Sequence, residues 1–470
     1  MLTWSKHRTR VPAALVLLLF CKYFWTLVVF DAPLGYDAGI YRYLFLTHSK
    51  GFPPFVLGPI EPWARGHPLG LFFFSTMLLR LGVPVSLLLG WMWNLMAVLL
   101  LCALAFVWQR ERGGSTALWV LAAAILSQAV FDGFTAMYWK TFLAMFFMVL
   151  AFDALHRHSH VGYLWGLLTV VTHHQTGLLF GLAAGTWFLL ERERLREHAR
   201  WMFAVLLLVA VTGVLWYLPV WQQAVADHLP ALFGSLTNAP SGSFPDLSEY
   251  LRFEWILYGF GVLGLAGDLR AKRWDLWQLS VLWSAVFVLC RLFFYRRFTL
   301  QLEFFLLPYM ALGAAWEWQR YSNRNCHKVL IALLVLQVLL SFAAMRDTDP
   351  PLLDRATLNR VTRMGNRLPQ GAYVLALEDE GAMMLRGWLP DQRVEGPGLF
   401  GMPWGYGQWE ALFLGTPQQR RTLLRSLPSG TVLFTGPRFA LYYGQVAHAF
   451  VTDPCLARGE EEYFYTIACP

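Results

Sequence analysis

The chain has 470 residues, of which 57% are hydrophobic and only 14% are charged. Because soluble proteins carry about a quarter charged residues, this composition excludes a single water-soluble core and indicates a protein whose solvent is a lipid bilayer. The net charge of +8 does not indicate a nucleic-acid-binding protein, since the Lys and Arg residues form short clusters between apolar runs rather than one basic patch.

Apolar segments along the first three quarters of the chain predict about eleven transmembrane helices. The first follows Lys6, Arg8 and Arg10 and has no small-x-small cleavage site after it, so we expect an uncleaved anchor rather than a signal peptide. The segments lie at 11–30, 86–108, 116–131, 141–155, 161–190 (two helices), 201–220, 253–267, 276–295, 302–318 and 329–345.

The run at 161–190 is predicted to be a hairpin of two short helices. One helix of this length would measure about 45 Å, which exceeds the thickness of the hydrocarbon core. Basic residues flank the run at both ends, and a hairpin with HHQTG at its apex keeps both basic ends on one side.

Up to residue 345, Lys and Arg total 16 in the segments on one side of the predicted helices and 8 in the segments on the other side. The positive-inside rule therefore predicts a multi-pass protein of the cell inner (plasma) membrane with a cytoplasmic N-terminus and an extracytoplasmic (periplasmic or extracellular) C-terminus. A bacterial inner membrane fits this pattern best.

Three outer segments are long enough to carry chemistry. Residues 31–85 form a first loop that ends in an apolar, interfacial helix, and residues 221–252 are rich in Pro, Gly and Ser and predict a mobile loop. Residues 346–470 alternate helix and strand signals, which predicts a small α/β domain. A disulfide between Cys455 and Cys469 in this tail would require an oxidising compartment, and the sequence does not give the distance between the two sulfurs.

The first outer loop places an acidic side chain directly after the first transmembrane segment. Asp37 lies in GYDAGIYRY, where it is either a functional carboxylate at the membrane surface or the N-cap of a helix, and the two roles are compatible. Tyr41, Glu61 and His67 share this loop and are further candidates for a polar cavity.

Several other polar residues fall at the outer ends of the predicted helices. Asp132, a further candidate for the polar cavity, and Lys140 flank a short turn, where a lysine ordinarily extends to the interface. The adjacent histidines at the hairpin apex are costly in a membrane unless they are used or paired, and two arginines end the ninth segment, where an anionic phosphate would suit their forked donors. Glu303 is an alternative partner for these arginines. These histidines and arginines are His173, His174, Arg296 and Arg297.

This arrangement resembles the GT-C superfamily of integral-membrane glycosyltransferases, which includes oligosaccharyltransferases, protein mannosyltransferases and aminoarabinose transferases. The resemblance rests on Asp37 in a long first outer loop, on HPLG at 67–70, on RRFTLQLEFFLLPYMALGAAW at 296–316 and on the tail domain after the last helix. The chain departs from the family pattern in the second outer turn, which has Asp132 but no DxD or ExD pair.

The resemblance implies a polytopic α-helical GT-C-like module at 1–345 and an extracytoplasmic α/β domain at 346–470. It implies an inverting transfer of a sugar from a polyprenyl-phosphate donor to a lipid, glycan or protein acceptor. Asp37 would be the general base or hold a divalent metal such as Mg or Mn, while Arg297, Arg296, Lys140 and His173 or His174 would stabilise the leaving phosphate. The residues themselves show no set of metal ligands, and the sequence identifies neither sugar nor acceptor.

Two other functions compete with this interpretation. A membrane transporter or flippase would have ionisable residues near the middle of the membrane, whereas here they gather at the outer ends. An O-antigen ligase or polymerase-type cell-envelope protein would have its large outer loop late in the chain and no soluble C-terminal domain.

Overall fold

The structure is a computed structural model that describes residues 10–50, 69–191, 193, 196–234, 243–270, 274–292, 294–320, 324–397 and 403–469. Lys6, Arg8, Glu61 and His67 lie outside the described residues. The chain divides into two compact units. The first contains Met1–Thr26, Gly66–Leu71 and Trp91–Thr348, and the second contains Leu27–Arg65, Phe72–Gly90 and Asp349–Pro470.

The described part of the chain up to residue 346 is built from α-helices. A π-helical turn, Leu88–Met92, lies within this helical part and directly precedes Trp93. The helices are α1 (Arg10–Val29), α2 (Ala38–Lys50), α3 (Leu69–Arg80), α4 (Val85–Leu87), α5 (Trp93–Arg112), α6 (Thr116–Leu126), α7 (Gln128–Thr135), α8 (Trp139–His156), α9 (Val161–Thr172), α10 (His174–Leu190), α11 (Ala199–Gly234), α12 (Leu247–Leu269), α13 (Leu276–Leu289), α14 (Tyr295–Arg320) and α15 (Arg324–Arg346).

Each apolar segment predicted to cross the membrane falls on one or two of these helices. Within the described residues, six helices are long and apolar enough to span a bilayer, and a bent pair, α6 and α7, makes a seventh if it is one span. α3, α9 and α13 are shorter apolar helices. The chain is therefore a multi-pass membrane protein.

The run at 161–190 forms two helices, as the sequence predicts. His173 separates them in an extended conformation, with φ −154° and ψ 119°. Two glycines let the helices pack closely: a Cβ at Gly177 would lie 2.9 Å from the Cα of Val170, and one at Gly166 would lie 3.0 Å from the Phe180 ring. These pairings across the break describe an antiparallel hairpin.

Two predicted elements differ from the structure. The third segment is not one straight helix, since α6 and α7 meet at Ser127 with a bend of 59°. The loop predicted at 221–252 is helical up to Gly234, because α11 continues to that residue. The Gly and Ser residues that predicted a loop are concentrated after residue 233, so only the later part of this stretch carries a strong turn signal.

The second unit contains a five-stranded sheet in the order β2-β1-β3-β5-β4. Strands β2, β1 and β3 are parallel, whereas β5 pairs antiparallel with both β3 and β4. The elements of the tail are α16 (Arg355–Arg367), β1 (Tyr373–Ala376), α17 (Asp379–Trp388), β2 (Arg393–Glu395), α18 (Tyr406–Leu414), α19 (Pro417–Arg425), β3 (Val432–Phe434), α20 (Phe439–Tyr443), α21 (Gln445–Val451), β4 (Leu456–Arg458) and β5 (Phe464–Ile467).

The central strands β1 and β3 are buried along their whole length, and their side chains are apolar on both faces. Val374, Leu375 and Leu433 are fully buried, and the core continues into the aromatic rings of Phe439 and Phe450. Parallel strands covered on both faces have such continuous apolar runs, which explains why the sequence signals of β1 and β3 are strong.

Cys455 and Cys469 form a disulfide that closes the end of the tail. We expect Cys455→Ser or Cys469→Ser to lower the free energy of unfolding of the tail by about 3 kcal/mol, the usual effect of a cross-link that closes a loop of roughly 15 residues. Thermal unfolding of the purified protein with and without reductant measures this. Cys21→Ser, which removes an exposed free thiol, is the matched control, and an equal effect of all three substitutions would contradict the prediction.

Candidate functional site

Arg297 lies in the first turn of α14 in the first unit. Its guanidinium carbon is 4.9 Å from the centre of the Phe294 ring and 5.9 Å from that of Tyr138. The Nε–H is buried and has no hydrogen-bond partner among the described residues. Because a buried donor ordinarily has an acceptor, an anion that supplies one would suit this position.

The hairpin apex is joined to the same face of α14 by hydrogen bonds. His173 is 5% exposed, and its Nδ1 lies 2.9 Å from the hydroxyl of Thr176. Gln301 donates to that hydroxyl from Nε2 at 2.9 Å. Since Gln301 follows Arg297 by four residues, both side chains lie on one face of α14, and the apex lies against that face.

Three helices begin in this region, and each carries a basic residue in or beside its first turn: Lys140 in α8, His174 in α10 and Arg297 in α14. None of the three first turns contains an acidic residue. These basic residues are all close enough to His173 to act on it electrostatically. The positive ends of the helix dipoles and the side chains therefore add up to a positive potential, which attracts an anion.

The two adjacent histidines differ in environment. His173 is buried, whereas His174 is exposed and its ring lies 6.1 Å from that of Tyr217. The end of the HPLG element reaches the same apex: a Cβ at Gly70 would lie 2.7 Å from the Cα of Thr172. Gly70 thus allows the first turn of α3 to contact the residue that precedes His173.

Arg296 has a different role from its neighbour. Its guanidinium forms a salt bridge with Asp246, with 2.8 Å between Nη2 and Oδ2. The alternative pairing with Glu303 is wrong, because that carboxylate is fully buried and accepts hydrogen bonds from Ser127, the amide of Ala129 and the hydroxyl of Tyr258. Of the two arginines, the one with the unsatisfied donor is Arg297.

The bend between α6 and α7 is stabilised by three charged side chains, of which the sequence had pointed to Glu303 alone and in a different role. Lys22 in α1 donates to the carbonyl oxygens of Ile125 and Ser127, at 2.9 Å and 2.6 Å. Glu254 accepts from the amide of Gln128, and Glu303 accepts from the next amide. A cation at the carboxyl end of one half-helix and anions at the amino end of the other satisfy the backbone groups that the bend exposes.

Asp132, a candidate cavity residue, lies inside α7 rather than in a turn. Its carboxylate accepts from the side-chain amide of Gln128 at 2.6 Å and from the hydroxyl of Tyr250 at 3.0 Å. These bonds tie α7 to α12, and α7 leads directly into the turn that carries Tyr138 and precedes Lys140. In the described structure Asp132 therefore contributes to the position of that turn.

Asp37 belongs to the second unit, where it directly precedes α2. Its backbone carbonyl accepts the first helical hydrogen bond, from the amide of Tyr41 at 2.9 Å, which is the N-cap position. The side chain is half-buried. Tyr41 is 1% exposed and its ring packs 5.9 Å from that of Phe72, so it is part of the apolar packing of this unit. His48 stacks on the same Phe72 ring, and burial lowers its pKa to about 4.

A second group of carboxylates lies at the beginning of α17, at the carboxyl ends of β1 and β3. Glu378 is 2% exposed, and neither of its carboxylate oxygens has a hydrogen-bond partner among the described residues. Burial, with the neighbouring charges of Glu380 and Asp379, raises the pKa of Glu378 to about 8. Arg438, 3.4 Å from Glu380, opposes this shift.

Because the pKa of Glu378 is higher in the folded protein than in the unfolded chain, the folded state binds its proton more tightly. The contribution of this carboxyl group to folding stability is therefore fully present below pH 4.5 and is lost as the pH rises towards 8. We expect Glu378→Gln to reduce the fall in melting temperature between pH 5 and pH 8, a change that differential scanning fluorimetry measures. An unchanged pH dependence in the variant would contradict the prediction.

The described residues do not provide a metal site. No three His, Cys, Asp or Glu side chains among them are grouped in a way that could hold a metal ion.

No protein-family model matches the sequence, and no curated protein matches it. Solved structures do. The archaeal oligosaccharyltransferase AglB from Archaeoglobus fulgidus, in complex with an inhibitory peptide and a dolichol-phosphate, is 12% identical, with a TM-score of 0.64 over 92% of this chain and 70% of that chain. ArnT from Cupriavidus metallidurans, bound to undecaprenyl phosphate, is 13% identical, with a TM-score of 0.57 over 98% of both chains.

ArnT in the apo state gives a TM-score of 0.60 over 99% of this chain and 98% of that chain, at 11% identity. The similarity in structure thus extends over nearly the full length of the chain although sequence identity is low. The chain therefore shares the fold of AglB and ArnT, which is the fold that the resemblance carried by Asp37, HPLG and the late arginine helix implied.

Proposed function

We propose that the chain is a glycosyltransferase that moves a sugar from a polyprenyl-phosphate-linked donor to a lipid, glycan or protein acceptor on the extracytoplasmic face of the membrane. Two proteins of the same fold have been seen with polyprenyl phosphates, dolichol-phosphate in AglB and undecaprenyl phosphate in ArnT. An acceptor peptide has been tethered to the A. fulgidus enzyme. These similarities support the proposal, and the geometry of the basic site suggests which residues would bind the phosphate of the donor.

The observation that carries the proposal is the buried Nε–H of Arg297 without a partner, at a place where three helix N-termini with basic residues meet. A phosphate offers several acceptor oxygens and matches the forked donors of arginine. In a membrane enzyme, the isoprenoid tail of the donor stays in the bilayer while its phosphate reaches this site. Lys140 and His173 or His174 add donors or positive charge, and Arg296 contributes to the local potential through its place beside Arg297.

The proposed reaction is a single inverting displacement. Asp37 removes the proton from the acceptor hydroxyl or amine as the acceptor attacks the anomeric carbon of the sugar. The new bond forms at that carbon as its bond to the phosphate oxygen breaks, and the electron pair leaves with polyprenyl phosphate. Arg297 and its basic neighbours stabilise the negative charge that develops on the departing phosphate.

The proposal includes the topology that the charge distribution predicts. The N-terminus is cytoplasmic, about eleven segments cross the inner (plasma) membrane, and the α/β domain after residue 345 is extracytoplasmic. The disulfide between Cys455 and Cys469 supports this orientation, since disulfides persist in oxidising compartments. With this orientation, Asp37, the hairpin apex and the basic end of α14 face the same side of the membrane.

A transfer assay tests the proposed function. Purified protein in lipid vesicles is given a pool of radiolabelled lipid-linked sugars extracted from the source membranes, together with an extract of their glycans, lipids and proteins. We expect label to leave the polyprenyl-phosphate fraction and to enter an acceptor only when the protein is present. Label that stays on the polyprenyl lipid in every combination would contradict a transferase.

A transporter is the second candidate, and one observation favours it. Lys22, Glu254 and Glu303 are buried ionisable groups around a broken helix, a feature of transport proteins. Against it, these side chains already satisfy the backbone ends of α6 and α7. Protein-dependent movement of an intact lipid-linked sugar across the vesicle membrane, without transfer, would favour this candidate over the transferase.

A further inference from the structure

α2 and α17 pack side by side in the second unit, and they run parallel. Before the start of α2, the hydroxyl of Tyr36 donates to Asp379 Oδ2 at 3.3 Å. At its end, Lys50 lies 3.0 Å from Asp391, which follows α17. The start of α2 thus contacts the start of α17, and the end of α2 contacts the end of α17. The N-termini of the two helices therefore lie at the same end of the pair. Asp37 precedes one of these N-termini.

The two helices approach so closely that their backbones touch. A Cβ on Gly39 would lie 1.9 Å from the carbonyl oxygen of Met383. A Cβ on Gly387 would lie 2.3 Å from the carbonyl oxygen of Gly39 and 2.6 Å from its Cα. No other residue type fits at either glycine without moving one helix away from the other, since the neighbouring atoms belong to the backbone.

Arginine side chains from both helices stabilise this contact. Arg42 of α2 donates to the carbonyl oxygen of Gly387, and its guanidinium carbon lies 5.1 Å from the Trp388 ring. In the opposite direction, Arg386 of α17 is 4% exposed and its guanidinium carbon lies 4.0 Å from the Tyr43 ring. Each helix thus places a cation against an aromatic ring of the other.

We infer that α17 positions Asp37, so that the sheet-containing tail takes part in catalysis without touching the substrate. The inference rests on the proposed function, in which Asp37 is the general base. The backbone of Asp37 is bonded to the first turn of α2, and α2 rests on α17 through Gly39 and Gly387. A shift of α2 by about 1 Å would move the carboxylate with it, and a misplacement of that size can lower a rate by about 10²-fold. Gly387 and Arg42 are therefore positioning residues.

The test compares Gly387→Ala with Gly407→Ala. Gly407 is an exposed glycine of α18, and a Cβ there has no neighbour within 4 Å, so the same substitution is made in a helix without a close contact. We expect Gly387→Ala to lower kcat for sugar transfer by at least about tenfold, with the KM for the lipid-linked donor unchanged within about twofold. Gly407→Ala should leave both constants as in the wild type.

Hydrogen exchange separates positioning from general loss of structure. In Gly387→Ala, amides of α2 should exchange faster while those of β1 and β3 keep wild-type protection. If that variant does not fold, Arg42→Met tests the same contact, because it removes the hydrogen bond from α2 to Gly387. We expect its kcat to fall several-fold while the KM for the donor stays constant. Wild-type kcat in Gly387→Ala, or equal losses in both glycine variants, would overturn the inference. Absence of transfer by the wild type would instead overturn the proposed function.

Discussion

Asp37→Asn and Asp37→Ala are expected to lower the turnover number of sugar transfer by about 10²- to 10⁴-fold, the usual contribution of a general base. The asparagine keeps the size of the side chain and its capacity to cap α2, but it does not accept the acceptor's proton. The measurement is kcat with saturating donor in purified, vesicle-reconstituted protein. Hydrogen exchange of α2 should stay close to wild type in the asparagine variant, since Asn is as good an N-cap as Asp.

Asp31→Asn is the matched control for this prediction. Asp31 is an exposed aspartate in the same loop, six residues before the proposed base, so the substitution removes an equal charge at the surface. We expect it to retain wild-type turnover. Full activity of Asp37→Asn would show that the residue is a helix cap alone, which is the structural alternative that the sequence left open.

Arg297→Gln is expected to lower kcat/KM for the lipid-linked donor by about 10²- to 10³-fold, the usual loss on removal of one donor to a developing negative charge. Glutamine keeps a hydrogen-bond donor of shorter reach but removes the positive charge. Arg297→Lys should recover only part of the loss, because an ammonium group lacks the planar fork that binds two phosphate oxygens. Steady-state kinetics with labelled donor measure both variants.

Two arginine controls distinguish a specific phosphate contact from a change in surface charge. Arg252→Gln removes an exposed cation from α12 and should have little effect. Arg296→Gln breaks the salt bridge with Asp246 and should have a smaller effect than Arg297→Gln. Equal losses in all three variants would mean that net positive charge, rather than the buried donor of Arg297, determines donor use.

The helices could be predicted from the sequence because the signal for each one is local. Long apolar runs mark them, and flanking Lys and Arg residues predicted the hairpin at 161–190, which the structure has. Gly166 and Gly177, at which the two hairpin helices meet, were not needed for that prediction. The strands β1 and β3 were predictable for the same reason, since each is a continuous apolar run. In contrast, β2 (RVE) and β4 (LAR) are short and contain charged residues, so they leave no local signal.

The bend at Ser127 could not be predicted, because its causes are distant in sequence. Lys22, Glu254 and Glu303 act on the bend from 105, 126 and 174 residues away. The contact of α2 with α17 is equally remote: Tyr36 and Asp379 are 343 residues apart. The sequence did identify the acidic residue before α2 and the arginine at the start of α14, since both stand out in apolar surroundings. It did not show which of two adjacent arginines keeps an unsatisfied donor.

Native mass spectrometry of the purified protein with undecaprenyl phosphate tests most directly whether Arg297 binds the phosphate of a lipid-linked donor. Undecaprenol, which has the same tail without the phosphate, is the control ligand. We expect wild type to retain undecaprenyl phosphate in preference to undecaprenol, and Arg297→Gln to lose that preference. Equal retention of the two lipids by wild type, or an undiminished preference in Arg297→Gln, would contradict the account.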